Sequence, residues 1–285
     1  MHLPPKVPAR ALALACLLTA VGLVAGCATT PSGRDATASA LDGILAGSQR
    51  TTADRGQDTY RHPKQTLLFF GIRPGMRVLQ VWPEPGWYTE IIAPLLRPRG
   101  RFVAAVIAPD PGSRFLQARV AAYRGLLASR KDLYGGSKVV TFPLNGADVL
   151  PPGSVDMVLS FGDLHEWMAL GDAQAALATI YRALAPGGVF GVVDNRGDPA
   201  VAQDPRARSG YVRQDYAIRL IEAAGFRLVA SSEVNANPRD TRNYPAGVWT
   251  LPPDYRLGNI DRARYEAIGQ SDRFTLRFVK PGANF

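Results

Sequence analysis

The residues best suited to move a proton near neutral pH are His62 and His165, the histidines of this chain besides His2. An unperturbed imidazole changes charge between about pH 5 and 8, so either ring could act as a general base. His165 stands in Leu164-His165-Glu166-Trp167, just past the apolar run 155–161. That run reads as a buried strand, which places His165 at the carboxyl edge where open α/β sheets bind ligands. His62 sits in Tyr60-Arg61-His62-Pro63, a segment expected to lie across a pocket. Each ring has an alternative use, bracing a loop through a hydrogen bond.

A second chemical feature is the stretch 77–90, RVLQVWPEPGWYTE. It reads as an apolar strand, a tight Pro/Gly turn and an amphipathic helix. In α/β nucleotide-binding folds such a junction brings a backbone loop and a helix N-terminus to a small ligand. The turn is Trp82-Pro83-Glu84-Pro85-Gly86, however, and lacks the usual glycines. Arg196, in Asp194-Asn195-Arg196, ends the fifth strand pattern; it is a candidate for an anionic acceptor or for an ion pair. Asn235, Asn237, Arg239 and Asp240 form a polar turn, with Trp249 further on, and suggest a rim or lid.

Strand and helix patterns alternate so as to predict a parallel sheet with crossover helices. Strands are expected at 77–82, 102–107, 139–142, 155–161 and 189–194, then at 226–234 and 273–279. Helices are expected at 87–96, 113–129, 173–184 and 211–224. Four prolines within 235–272, namely Pro238, Pro245, Pro252 and Pro253, predict an ordered loop excursion there.

Several segments carry a family likeness. They include Asp58-Thr59-Tyr60-Arg61-His62-Pro63, Gly86-Trp87-Tyr88-Thr89-Glu90, Leu164-His165-Glu166-Trp167, Asn235-Ala236-Asn237-Pro238-Arg239-Asp240, Gly247-Val248-Trp249-Thr250-Leu251-Pro252-Pro253 and Ser271-Asp272-Arg273. Over residues 58–280 the chain resembles a family of bacterial methyltransferases of the class I type, which use S-adenosyl-L-methionine. The resemblance implies an α/β, Rossmann-like, seven-stranded, mostly parallel sheet with the last strand inserted antiparallel and helices on both faces. It implies that Gln80, Trp82, Glu84, Gly86 and Phe161 face the cofactor, with Asp110 near its ribose and Asp148 near its adenine. As plain turn formers, Asp110 and Asp148 would be unremarkable. The resemblance further implies His165 and His62 as catalytic, and Tyr60, Arg61, Trp167, Arg196, Asn235, Asn237, Arg239 and Trp249 on the acceptor and lid side. Gln80 stands where the family carries Glu, and Glu84-Pro85 where it carries Gly-Gly. The ammonium of the cofactor thereby loses a charge partner, and Pro85 removes a backbone donor.

At the N-terminus, Lys6 and Arg10 precede an apolar run at 11–25 that ends Val24-Ala25-Gly26-Cys27. Residues 1–26 resemble a bacterial lipoprotein signal, with Cys27 as the lipidated mature N-terminus and Ala28 directing it to the outer membrane, facing the periplasm. Residues 27–57 read as a flexible tether and 58–285 as one domain. The other cysteine, Cys16, falls in the leader, which excludes a disulfide or cysteine zinc site in the mature chain. The net charge is +9, and its basic residues are dispersed, so a lipid bilayer reached through Cys27 is the expected partner and nucleic acid is not. No metal is expected. A G-x-S-x-G nucleophile elbow is absent from the sequence.

Overall fold

The computed structural model describes residues 1–2, 33–108 and 112–282; Cys27 and Asp110 lie outside the described residues. The chain divides into two units, Met1–Pro31 and Ser32–Phe285, and the architecture here is that of the second. It opens with four helices, α1 (Gly33–Leu45), α2 (Thr52–Gly56), α3 (Asp58–Arg61) and α4 (Pro63–Phe70). Then come β1 (Arg77–Val81), α5 (Thr89–Leu96), β2 (Arg101–Val106), α6 (Arg114–Ser129), α7 (Lys131–Tyr134) and β3 (Lys138–Thr141). The second half holds β4 (Val155–Phe161), α8 (Leu164–Leu170), α9 (Ala173–Ala183), β5 (Leu184–Asn195), α10 (Gln214–Ala223), β6 (Arg227–Ser232), α11 (Arg262–Ile268) and β7 (Arg273–Val279).

The strands form one seven-stranded sheet in the order β3-β2-β1-β4-β5-β7-β6. Strands β1 to β5 pair in parallel, whereas β7 runs antiparallel to both β5 and β6. This is the class I methyltransferase, Rossmann-like fold. Because only β7 is inverted, it begins at the edge where the parallel strands end: Asn195, the last residue of β5, pairs with Arg273, the first of β7. That edge carries the site.

Period-2 alternation sorts the core into two layers. Leu79 and Val81 of β1 pack with Val158, Trp167, Leu177, Ile180 and Ile221, beneath α8, α9 and α10. Val78 faces the other way, with Phe102, Met157 and Leu159, against Leu41, Leu67, Phe70, Ile91 and Tyr123. Full burial of each such side chain stabilises the fold by about 1.5–3 kcal/mol before ordering costs. On β5 a side chain at Gly191 would place its Cβ 2.8 Å from both Leu159 and Phe70, so glycine is what lets α4 lie on the sheet.

The strand pattern matches to within a residue or two at β1 to β4 and β7, while β5 starts earlier, at Leu184. The tether reading is corrected from Gly33 onward. Helix α1 buries Leu41 completely, Lys64 pairs with Asp42 at 2.6 Å, and Trp87 donates its indole N–H to Asp54 O at 3.0 Å. Arg50, itself buried, forks Asp58 at 2.7 and 2.8 Å. Polar composition hid this segment because one short apolar stripe is all it needs to dock on α4 and α5. Helices α4 and α8 were also absent from the sequence reading, and 235–272 contains a 3-10 turn, Gly247–Thr250, besides α11. Among the described residues no helix is long and apolar enough to cross a membrane.

Candidate active site

A cavity of about 310 Å³ opens at the carboxyl edge of β1, β4 and β5 and the start of β7. Of the expected site residues it gathers Arg61, Gln80, Trp82, Glu84, Phe161, His165 and Trp249. A crevice at this edge, where strand order reverses, is where ligands bind open α/β sheets.

On the β4 and β5 side, His165 is set by the first turn of α8 and by the end of β5. Its Nδ1 lies 2.8 Å from Asp194 Oδ1, and its backbone N–H donates to Asp194 Oδ2 at 3.1 Å. Its Nε2 lies 3.6 Å from Glu166 Oε1. Burial alone would lower the imidazole pKa, but Asp194 and Glu166 outweigh it and raise it to about 10. Near neutral pH the ring therefore holds its proton, donating from Nδ1 to Asp194 with Nε2 left toward the cavity, unlike the near-neutral base expected from its residue type. The His165 N–H facing it, ahead of the ring's charge, holds Glu166 below the usual carboxylate range against partial desolvation. Trp249 stands tilted beside the ring with centroids 6.0 Å apart, and the Arg256 guanidinium lies over the Trp249 ring at 4.4 Å.

On the β1 side the turn keeps left-handed backbone at Trp82 (φ 41°) and at Gly86 (φ 114°). Trp82 adopts a conformation that costs a bulky residue roughly 1–3 kcal/mol. Its ring meets Trp167 edge-on at 6.1 Å. Glu84 is 5% exposed; its Oε1 accepts the Ile107 N–H at 3.2 Å, and Arg119 donates to its backbone carbonyl at 2.9 Å. Burial raises the Glu84 carboxyl pKa, with Ile107 and Arg119 opposing. Glu84 Oε2 and Trp82 Nε1 are buried without a protein partner. Gly86 does not line the cavity: a Cβ there would come 2.3 Å from Leu126 Cδ2, so the room it leaves is filled by the protein's own helix α6. Phe161 stacks on Tyr88 with centroids 3.5 Å apart, and Gln80 lies 3.5 Å from the Thr89 hydroxyl that donates to it.

The remaining candidates are placed elsewhere. Asp148 is half-exposed and pairs with Arg182 at 2.5 Å, too far round the sheet edge to line the cavity. Trp167 is fully buried between Trp82 and Phe142 and is core rather than lid. Arg196 is taken up by Glu233 at 2.6 Å and Asp272 at 3.6 Å. Asn235 clamps Thr66 and Thr275 at 3.0 and 2.9 Å, and Asn237 holds the carbonyls of Ile268 and Gln270. The Arg239 side chain is exposed outside the cavity. Tyr60 packs on Gly269, where a Cβ would come 2.6 Å from its ring. His62 is the left-handed hinge (φ 37°) between α3 and α4 and does not reach the cavity. Among the described residues no group of three or more His, Cys, Asp or Glu is arranged to hold a metal ion.

Sequence reasoning missed Asp194, Asn195, Asp254 and Arg273. Asp194 and Asn195 had a signal, standing at the end of a strand pattern on the ligand edge. Arg273 had one only in the rare word Ser271-Asp272-Arg273, since its position at that edge depends on the inverted β7.

No family model matches the chain. Curated relatives from two strains of Acidithiobacillus ferrooxidans, both ribosomal RNA large subunit methyltransferase E, are 32% identical over 121 residues, 42% of this chain and 51% of theirs. The chain thus spans about half the length of the curated relatives it matches. Among solved structures, a SAM-dependent methyltransferase from Aquifex aeolicus superposes with TM-score 0.54 and 17% identity, over 79% of this chain and 93% of that one. The [4+2]-cyclase SpnF gives 0.57 and 16%, over 89% and 97%, and the glycopeptide N-methyltransferase MtfA gives 0.50 and 16%, over 81% and 100%. These likenesses establish the fold. One scaffold carrying a cyclase and methyltransferases leaves the reaction to the site residues.

Proposed function

We propose that the protein is an S-adenosyl-L-methionine-dependent methyltransferase acting on a small acceptor. The observation that carries this reading is the cavity at the switch point of a class I methyltransferase sheet, with a buried carboxylate oxygen, Glu84 Oε2, left without a protein partner beside Gln80. An orphaned carboxylate oxygen is costly unless a ligand donor meets it; an ammonium group or a ribose hydroxyl is such a donor. Glu84 and Gln80 together fit the cofactor's polar groups in place of the glycine loop. When bound, the cofactor supplies a methyl group activated by its positively charged sulfur. The chain's own part is to hold the acceptor in line between Phe161 and Trp249 and to exclude water. His165, protonated and oriented by Asp194, donates a hydrogen bond into the cavity rather than removing a proton. Calorimetric titration of the purified protein with S-adenosyl-L-methionine tests the reading: micromolar binding is expected, and no heat at millimolar ligand overturns it.

One contact favours a second reading, a methyltransferase-fold protein that binds another small molecule and transfers no methyl group. Glu84 Oε1 already takes the Ile107 N–H at the end of β2, and Leu126 of α6 fills the space beside Gly86, so the protein's own side chains occupy room a cofactor would use. Under this reading the triple change Gln80→Glu, Glu84→Gly and Pro85→Gly creates cofactor binding that the natural chain lacks.

The address proposed from the leader is export and lipid anchoring at Cys27. A Cys27→Ser variant is expected to lose metabolic labelling by palmitate and to leave the membrane fraction. An unlabelled natural chain would overturn it.

A further inference from the structure

Besides Arg119, which donates to the Glu84 carbonyl, two arginines line the cavity without a carboxylate partner. Arg61, from α3, and Arg273, from β7, both line it, and neither forms an ion pair within 4.0 Å among the described residues. Both guanidinium groups instead converge on one neutral atom, Gln270 Oε1: Arg61 Nε donates to it at 3.2 Å, and Arg273 Nη2 also donates to it. Arg273 Nε turns to the Ser271 hydroxyl at 3.3 Å. Arg61 is backed by the Trp87 ring at 4.9 Å. Burial and then the neighbouring Arg273 lower the Arg61 pKa to about 10, and burial likewise lowers that of Arg273. Asp254, across the same cavity, hydrogen-bonds neither.

Two like charges held together, partly buried, on a shared amide oxygen are unfavourable unless an anion completes them. Arginine forks match the oxygens of carboxylate and phosphate groups. Every other arginine the sequence had suggested for this task is already occupied or outside the cavity: Arg196 has Glu233 and Asp272, and Arg239 faces solvent. Arg273 enters the cavity from β7, whereas Gln80 and Glu84 enter it from β1 and its turn. Strand β7 lies three positions from β1 in the sheet, which is about 14 Å at the usual strand spacing.

The geometry points to an oxyanion-binding site formed by Arg61 and Arg273, with Gln270 and Ser271 orienting the forks, so that the small molecule taken by this cavity carries a carboxylate or phosphate group. It rests on the proposed methyltransferase function only in treating that molecule as the methyl acceptor. The test uses no S-adenosyl-L-methionine, so its failure is distinct from failure of that reading. The purified protein is titrated calorimetrically with inorganic phosphate and, in a separate arm, with malonate. Saturable binding of phosphate alone assigns phosphorylated acceptors, of malonate alone carboxylated ones, and of both an oxyanion site selective for charge. Arg61→Gln and Arg273→Gln should each weaken binding by about tenfold or more, while Arg239→Gln leaves it unchanged. Arg273→Lys keeps the charge without the fork and should bind better than Arg273→Gln, which separates recognition from a folding defect; Arg61→Gln reads the site if neither Arg273 variant folds. Absence of saturable binding to both probes, or binding that Arg61→Gln leaves intact, overturns the proposal.

Discussion

The two sides of the cavity are built in opposite ways. On the β4, β5 and β7 side polar groups are tied to one another: His165 sits between Asp194 and Glu166, Asn195 Oδ1 accepts from Ser271 at 2.6 Å, and Arg61 and Arg273 meet at Gln270. On the β1 side the turn holds a tryptophan in left-handed backbone and a buried glutamate with one oxygen unpaired. The first side is an organised polar surface that favours anions. The second is a tight turn of bulky and acidic residues held in strained backbone. The lesson is that left-handed backbone at a bulky residue such as Trp82 persists where neighbouring packing, here Trp167, holds the strained position.

Trp167 joins the two sides, touching Trp82 of the turn from helix α8, so its loss should have the largest effect. Trp167→Ala is expected to cost about 3–5 kcal/mol in denaturant unfolding. A loss below about 1 kcal/mol would mean the turn keeps its strained path without this support.

The polar side should be the more sensitive to pH. Its neighbours raise the His165 pKa from an ordinary 6.5 to about 10, so its stabilisation is complete below about pH 6.5, falls steadily as pH rises, and is gone above about pH 10. Asp163, buried at the start of α8 and raised to about 8 mainly by burial, acts in the same sense between its ordinary pKa and pH 8. His165→Gln should flatten the decline of Tm between pH 6.5 and 10, by several degrees across the window. An unchanged slope would show that the imidazole is not held as a cation.

Glu84→Gln sharpens the contrast from the other side. Burial raises the Glu84 pKa above its ordinary 4.5, so the natural chain loses stability as pH rises past that value and the amide does not. The variant should gain about 1 kcal/mol at neutral pH, with the gain vanishing in acid. If Glu84 holds the cofactor, affinity for S-adenosyl-L-methionine falls by about tenfold in the same variant; if it merely fills the crevice, affinity is unchanged or improves. The smallest effect belongs to Asp148→Asn, which removes an exposed ion pair with Arg182 outside the cavity. It should change stability by about 0–1 kcal/mol and leave every ligand titration unaltered.

Much of the fold could be read from residue order, because buried parallel strands are continuous apolar runs and their periodicity is local. The turn at Trp82 to Gly86 and the edge after β4 were legible for the same reason: they are junctions between elements visible one at a time. The docking of α1 was not, since Leu41 in a polar stretch becomes a core residue only where α4 and α5 offer a surface. Nor were the fates of Arg196, Asn235 and Asn237, whose types suit ligands and structural clamps equally until their partners are known.

The order of amino acids by itself determined the alternating α/β pattern, the Pro/Gly turn after β1 and His165 at a strand end, all consequences of local sequence. Only the tertiary structure decided that His165 carries its proton, that Asp194 is the cause, and that Arg61 and Arg273 meet 212 positions apart on one oxygen. Charge state and convergence depend on which groups share a space without water. The inversion of β7 creates that proximity, and no spacing along the chain encodes it.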